Sequence, residues 1–170
     1  MNARRSADGS KAGKKRGAEK MSTRSASTAA ISGASAWTDI VVGVVRDGES
    51  VLVTRRPVDA HLGGFDEFPG GKREHDEALD AACVREVKEE TGVVVVVEKL
   101  LAVAWHESDG KHLALTFFQC RCTGAKEPSD AARKDHHARW VNRAELAAMK
   151  FPPANASVVQ QLMAPAVELP

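Results

Sequence analysis

Cysteine is scarce in this sequence of 170 residues, which contains only Cys83, Cys120 and Cys122. Three cysteines are too few, and odd in number, for a disulfide framework, and their spacing lacks the paired cysteines typical of a zinc site. We therefore expect the three thiols to be packing residues. A reducing compartment suits them best, and the predicted location is cytoplasmic.

Long apolar runs are also missing. An uninterrupted run at residues 93–97 ends at Glu98 and Lys99, and another follows at residues 100–105, whereas a membrane-spanning helix needs about 20 apolar residues. This pattern is typical of a buried strand and not of a signal-peptide core. Charged residues make up 28% of the chain and hydrophobic residues 43%, so we expect a globular domain with no membrane partner.

Residues 1–36 contain few large apolar or acidic side chains. They hold eight Lys and Arg but two Asp and Glu, a net charge of +6, which leaves the rest of the chain with −5. Such a segment cannot bury enough apolar surface to fold, so we predict a disordered basic tail at 1–36 and one folded domain at 37–170. A targeting segment and a nucleic-acid-binding arm remain alternatives, and we expect nucleic acid as a partner only through this tail.

From Trp37 onward the pattern predicts short strands and helices that alternate irregularly. The expected elements are a hairpin (39–46 and 51–55, with its turn at Asp47-Gly48), a long loop (57–76), a helix (capped by Asp76 and ended by Gly92), two strands (93–107, with a bulge, and 113–122), a polar loop (123–139), a short strand (140–141) and two short helices (144–149 and 155–163). No regular βαβ period is present, so we expect an α/β fold with a mixed sheet between helices.

Three carboxylates share one face of the strongest predicted helix. Glu86, Glu89 and Glu90 stand at positions i, i+3 and i+4, and such like charges repel one another. A solvated acidic face is one explanation. The other is a site for a hard divalent cation such as Mg²⁺, which prefers oxygen ligands and bound phosphates. The preceding Gly70-Gly71 lets the backbone approach a ligand closely, and we favour metal-dependent phosphate chemistry.

These residues resemble the signature of the Nudix hydrolases. The matching positions, each at the required spacing, are Gly71, Glu77, Arg85, Glu86, Val87, Glu89, Glu90, Gly92 and Val93. The resemblance implies an α/β/α sandwich and hydrolysis of nucleoside diphosphate derivatives with Mg²⁺, or alternatively Mn²⁺. It implies that Glu86, Glu89 and Glu90 act as metal ligands or base, that Arg85 orients a carboxylate, and that Gly70 or Gly71 lines the metal site.

Further matches resemble the MutT branch of that family, which removes oxidised guanine nucleotides. They are Thr54-Arg55-Arg56, Asp59-Ala60-His61, Glu67-Phe68-Pro69-Gly70-Gly71-Lys72 and Phe151-Pro152-Pro153-Ala154-Asn155. The resemblance implies that Asn155 reads the base edge, that Phe68 packs on the base, and that Arg55 and Lys72 contact the nucleotide. The alternative for Asn155 is a helix N-cap.

One position departs from the MutT pattern. An acidic residue often lies six residues before the tryptophan that matches Trp140, and this chain has Lys134 there. The neighbouring Asp135 is a candidate additional ligand, and an ordinary exposed aspartate is the alternative. His136-His137 is either a phosphate contact or an exposed loop pair.

The expected reaction is attack of water on a (deoxy)nucleoside triphosphate, at the β-phosphorus by family resemblance, to give a monophosphate and pyrophosphate. Glu86 is the first candidate for the general base, with Arg85 and Glu89 beside it. Two rivals remain: a Nudix enzyme for CTP-like or other modified nucleotides, and a nucleotide- or nucleic-acid-binding module. A pure binder has no need for all three glutamates, which argues against the second.

Overall fold

The computed structural model describes residues 37–108 and 110–164. The elements there are β1 (Thr38–Asp47), β2 (Ser50–Arg55), β3 (Asp66–Glu67), β4 (Gly70–Lys72), α1 (Leu79–Thr91), β5 (Val95–Ser108), β6 (Lys111–Cys122), α2 (Asp130–Asp135), β7 (Arg139–Asn142), 3₁₀ turns at Arg143–Ala148 and Pro153–Asn155, and α3 (Ala156–Met163). Within these ranges, no helix has both the length and the apolar character needed to span a membrane. The predicted tail lies outside the described residues and stays a prediction.

The strands form one mixed sheet in the order β3-β2-β1-β6-β5, with β4 paired to β1 and β7 paired to β2. Strands β1 and β6 run parallel, and β1 pairs with β2 as the predicted antiparallel hairpin, in which Arg46 faces Val51. Strand β5 shifts register against β6 twice, after Val97 and after Leu100. The predicted α/β fold and the expected bulge are thus confirmed.

Helix α1 packs on one face of the sheet through its apolar stripe. Ala82, Cys83 and Val87 are fully buried there, as expected for residues spaced at i, i+1 and i+5 on a helix. Gly92 ends the helix with a left-handed φ of 78°, a conformation that costs glycine little. The opposite face of the sheet is covered by α3 and its preceding turn, through Val158 and Leu162. Helices therefore lie on both faces.

The cysteines are packing residues, as predicted. The Sγ atoms of Cys83 and Cys120 lie 3.8 Å apart in the core under α1, and all three cysteines are free and buried. The hydrogen bond with Cys83, together with burial, raises the pKa of the Cys120 thiol. Such thiols stay protonated and unreactive at neutral pH.

The predicted start of α1 is wrong. The helix begins at Leu79 with Ala78 as its N-cap, and no side chain caps it. Asp76 instead has a left-handed φ of 62° in the preceding turn. An aspartate before an apolar stripe is a common cap signal, but Asp also adopts left-handed turns readily.

Two predicted loops contain regular structure. The loop at 57–76 includes β3 and β4, which pair with β2 and β1. Such short strands are formed by sheet partners distant in sequence and leave almost no local pattern. The loop at 123–139 contains α2, whose N-cap hydroxyl at Ser129 accepts a hydrogen bond from the Ala132 backbone.

Candidate functional site

A cavity of about 320 Å³ opens on the α3 side of the sheet. Its walls are formed by Ile40, Val42, Arg56, His61, Leu62, Glu67, Phe68, Gly70, Gly71, Lys72, His106, Leu113, Leu115, Pro152, Pro153, Ala154 and Asn155. The fold thus brings together four predicted residues from two segments that are far apart in the sequence: Phe68, Gly70 and Lys72 from the first, and Asn155 from the second. An apolar cleft with a few polar groups is typical of small-molecule sites.

Asn155 and Phe68 line this cavity, and Phe151 packs against Phe68. The Phe68 and Phe151 rings stack with centroids 5.1 Å apart. Asn155 is only 6% exposed, and although it is the N-cap residue of α3, its side chain makes no capping hydrogen bond. The helix-cap alternative therefore lacks its defining contact, and the amide is a buried polar group at a cavity wall.

Arg85 ties the signature carboxylates together. It donates to both carboxylate oxygens of Glu77, at 2.9 Å each, to Glu86 Oε1 at 2.7 Å and to Glu89 Oε2 at 3.2 Å. These bonds lower the pKa of Glu77 and raise that of Arg85. Helical spacing alone places Arg85 on a face next to that of the three glutamates, from which it is not expected to relieve their mutual repulsion. The structure corrects this expectation: Glu89 stands at i+4 from Arg85 and is its neighbour on the helix surface, and the long guanidinium side chain also reaches Glu86.

Glu90 is held apart from that network. Its Oε2 accepts a hydrogen bond of 2.8 Å from the Gly70 backbone N–H. Burial raises the pKa of Glu90 to about 7, and the nearby charges of Glu67 and Glu86 act in the same direction, while the hydrogen bonds from Gly70 and Thr54 oppose it. The buried carboxylate thus lies among other carboxylates, which favours a cation beside it.

The raised pKa gives a pH-dependent stability in metal-free buffer. The folded chain holds the Glu90 proton more tightly than the unfolded chain does, so this group's contribution is full below about pH 4.5 and is lost as the pH rises through about 7. Denaturant titrations of the wild type and Glu90→Gln across this pH window measure the contribution of Glu90 to the free energy of unfolding. We expect the wild type to lose stability relative to the variant as the pH rises, and parallel profiles would contradict the burial of a titrating Glu90.

Glu67 and Arg56 are functional candidates that sequence reasoning left without a role. Arg56 Nη1 donates to Glu67 Oε2 at 2.6 Å, and both residues line the cavity. Burial raises the pKa of Glu67, while Arg56 and His136 oppose the rise. The signal was present, since both residues lie within the segments that resemble MutT.

Arg55 does not line the cavity. Its guanidinium donates to Asp66 Oδ1 at 3.2 Å, and Arg139 donates to the same oxygen at 2.7 Å. Successive strand residues point to opposite faces, so Arg56 occupies the position that the sequence assigned to Arg55. We therefore regard Arg56 as the better candidate for contacting the nucleotide.

The loop that departs from the MutT pattern brings a histidine to the glutamates. Lys134 and Asp135 are exposed at the end of α2. His136 Nδ1 lies 3.8 Å from Glu90 Oε1. The exposed neighbour His137 has a left-handed φ of 50°.

The carboxylates fit a divalent cation by their chemistry. No three His, Cys, Asp or Glu side chains in ranges 37–108 and 110–164 are arranged as a ready metal cluster, because Glu86 and Glu89 turn toward Arg85. The Gly71 backbone nevertheless lies so close to the Glu86 carboxylate that a Cβ there would overlap it. Such an oxygen-rich site against bare backbone suits Mg²⁺.

The contact between Gly71 and Glu86 gives a paired test. Gly71→Ala is expected to displace the Glu86 carboxylate, which is flexible, so the fold should persist while turnover falls roughly 100-fold. In Gly70→Ala, the new Cβ overlaps the Val41 carbonyl, which is backbone, so the melting temperature should fall. Normal kcat in a folded Gly71→Ala protein would show that the position of Glu86 is unimportant.

Comparisons with known proteins agree with this fold. A family model described as a NUDIX domain matches residues 41–161. The 8-oxo-dGTP diphosphatase of Escherichia coli K12 is 33% identical over 124 residues, 72% of this chain and 94% of that protein. The CTP pyrophosphohydrolase of the same organism is 32% identical over 77 residues, 45% of this chain and 57% of that protein. A solved MutT structure from a study of Aliivibrio salmonicida and Vibrio cholerae is 34% identical, with a TM-score of 0.56 over 75% of this chain and 98% of that one.

Proposed function

Because this chain belongs to the Nudix family and is an enzyme of the Nudix pyrophosphohydrolase type, we propose that it hydrolyses (deoxy)nucleoside triphosphates to monophosphate and pyrophosphate, with oxidised guanine nucleotides as the preferred substrates. One observation carries the proposal. The buried amide of Asn155 and the ring of Phe68 line the same cavity as Gly70 and Gly71, which contact Glu90 and Glu86. The cavity that would hold the base therefore borders the glutamates that would hold the cation.

In this proposal, Glu86, Glu89 and Glu90, with Gly70, hold Mg²⁺, or alternatively Mn²⁺. The cation supplies charge neutralisation of the phosphates and lowers the pKa of bound water. Glu90 is the best fixed of the three, since its carboxylate accepts from the Gly70 backbone. Glu86 remains the first candidate for taking a proton from water, and Arg85 keeps Glu86 and Glu89 oriented.

At the phosphate end, Arg56 and Lys72 supply positive charge to the cavity wall. Phe68 packs on the base, and its stacking on Phe151 fixes the ring plane. Asn155 offers one acceptor and two donors to the base edge. The two prolines before it restrict the backbone that presents this amide.

The two neighbouring arginines give opposite expectations. Arg56→Ala removes a charged donor from the cavity and should lower kcat/KM for all nucleotides about equally, by roughly 10- to 150-fold, the equivalent of 1.5–3 kcal/mol. Arg55→Ala should change kcat/KM little, because Arg55 pairs with Asp66 and Arg139 still pairs with that carboxylate. Steady-state measurements of kcat/KM for both variants decide which arginine contacts the nucleotide. A larger loss in Arg55→Ala would restore the sequence-based assignment.

The substrate proposal is tested by steady-state kinetics with Mg²⁺ across 8-oxo-dGTP, dGTP, CTP and ADP-ribose, comparing kcat/KM. We expect 8-oxo-dGTP to have the highest value. The resemblance to a CTP pyrophosphohydrolase makes CTP the informative competitor. A higher value for CTP would replace the oxidised-guanine proposal but leave the pyrophosphohydrolase in place.

A further inference from the structure

The loop between α2 and β7 holds His136 firmly beside the signature glutamates. The His136 backbone N–H donates to the Ala132 carbonyl at 3.0 Å, and its carbonyl accepts from the Arg55 N–H at 2.8 Å. The loop is thus anchored both to α2 and to the central hairpin. This anchoring places the imidazole, which is 43% exposed, at the solvent side of Glu90.

The separation between the two side chains suits a shared ion better than a direct hydrogen bond. His136 Nδ1 lies 3.8 Å from Glu90 Oε1, beyond the usual hydrogen-bond range of about 2.7–3.2 Å. Ligand nitrogens and oxygens lie about 2.0–2.2 Å from a bound metal ion. Two ligands of one octahedral ion are therefore about 3 Å apart when adjacent, and a shift of less than about 1 Å brings the two side-chain atoms to that separation.

The local charge also favours a cation. Glu90 has the carboxylates of Glu67 and Glu86 as neighbours, and Glu67 is already paired with Arg56. The oxygen Oε2 of Glu90 is used by Gly70, so the oxygen that faces His136 is the other one. A metal ion between Oε1 and the imidazole would satisfy both groups.

We infer that the imidazole of His136 is a nitrogen ligand, beside Glu90, of the divalent cation at this site. The inference rests on the proposed function, which places a cation on the glutamates. It gives His136 the role of additional metal ligand, for which the sequence had suggested Asp135. Imidazole suits transition metals, whereas Mg²⁺ strongly prefers oxygen, so the site should discriminate in favour of Mn²⁺ more than an all-oxygen site does.

The test uses Mn²⁺ alone, added to the full chain without nucleotide. Pulsed electron paramagnetic resonance detects ¹⁴N coupled to bound Mn²⁺, and a titration of the free Mn²⁺ signal gives the affinity. We expect a directly coordinated nitrogen in the wild type that is absent in both His136→Ala and His136→Gln. Mn²⁺ affinity should fall about 10- to 100-fold in these variants, and Mg²⁺ affinity, measured by competition, should fall less.

Two matched variants act as controls. His137→Ala removes the adjacent exposed imidazole and should keep the ¹⁴N signal and the affinity. Asp135→Asn should also keep both, and a loss of affinity there with an unchanged His136→Ala would return the ligand role to Asp135. Circular dichroism confirms that each variant is folded, and His136→Gln preserves a polar side chain if alanine disturbs the loop.

Failure of the inference is distinguishable from failure of the proposed function. One outcome contradicts only the role of His136. In that case Mn²⁺ binds the wild type and Glu90→Gln weakens Mn²⁺ binding, but ¹⁴N coupling is either absent from the wild type or persists in both His136 variants. His136 is then not a ligand, and the metal site on the glutamates stands. If Mn²⁺ does not bind the wild type, or Glu90→Gln leaves its affinity unchanged, the metal site in the proposed function is itself wrong.

Discussion

Replacing Glu90 by glutamine is expected to reduce kcat with Mg²⁺ by at least about 100-fold while the protein remains folded. The substitution preserves the shape of the side chain but removes one anionic metal ligand, and a bound metal ion contributes several kcal/mol to stabilising charge in the transition state. The Glu90 side chain is largely buried, with 16% of its surface exposed, and it accepts a hydrogen bond from Gly70, so an exposed carboxylate does not readily take over its role. Glu89→Gln should also lose activity by orders of magnitude, although Glu89 is 61% exposed.

Stability separates this loss from unfolding. A buried glutamate that is charged above pH 7 is costly, so glutamine there should leave the metal-free protein as stable as the wild type or more stable at pH 8. Glu127→Gln is the control, because Glu127 is exposed and pairs only with Arg133 among the described residues. Near-normal kcat in both Glu89→Gln and Glu90→Gln at low Mg²⁺ would overturn the metal assignment.

Local sequence signals were sufficient for the signature helix and its glutamates. The spacing of Glu86, Glu89 and Glu90 is a helical property, and Gly92 ends a helix by its own conformation. Both are encoded within a few residues. The alternation that predicted β1 and β2 is equally local, because side chains point to alternate faces of a strand.

Two of the differences from the sequence-based expectations depend on distant partners, and two depend on local geometry that the sequence pattern does not resolve. Whether Arg55 or Arg56 faces the cavity depends on the register of β2 against β3, and a shift of one residue reverses the face. The proximity of His136 to Glu90 depends on α2, which the polar composition of 123–139 concealed. The role of Asp76 depends on a turn that the sequence does not distinguish from a cap. The hydrogen bonds of Arg85 depend on how far its long side chain reaches, which the spacing of residues along the helix does not give.

The second large effect concerns the choice of substrate. If the Asn155 amide reads the base edge, Asn155→Ala should lower kcat/KM for 8-oxo-dGTP far more than for dGTP. An unpaired buried polar group costs about 1–3 kcal/mol, which corresponds to roughly 5- to 150-fold in rate. Asn155 meets the condition for this cost, since it is 6% exposed, makes no capping bond and lines the cavity.

The measurement is kcat/KM for both nucleotides in the wild type, Asn155→Ala and Arg56→Ala, with circular dichroism to verify folding. Arg56→Ala is the matched control, because a residue at the phosphate end acts on both nucleotides alike and should leave their ratio unchanged. A ratio that changes only in Asn155→Ala assigns base recognition to the amide. If Asn155→Ala lowers both nucleotides in parallel, the side chain supports the turn before α3 without reading the base, and the preference for oxidised guanine must then arise elsewhere in the cavity.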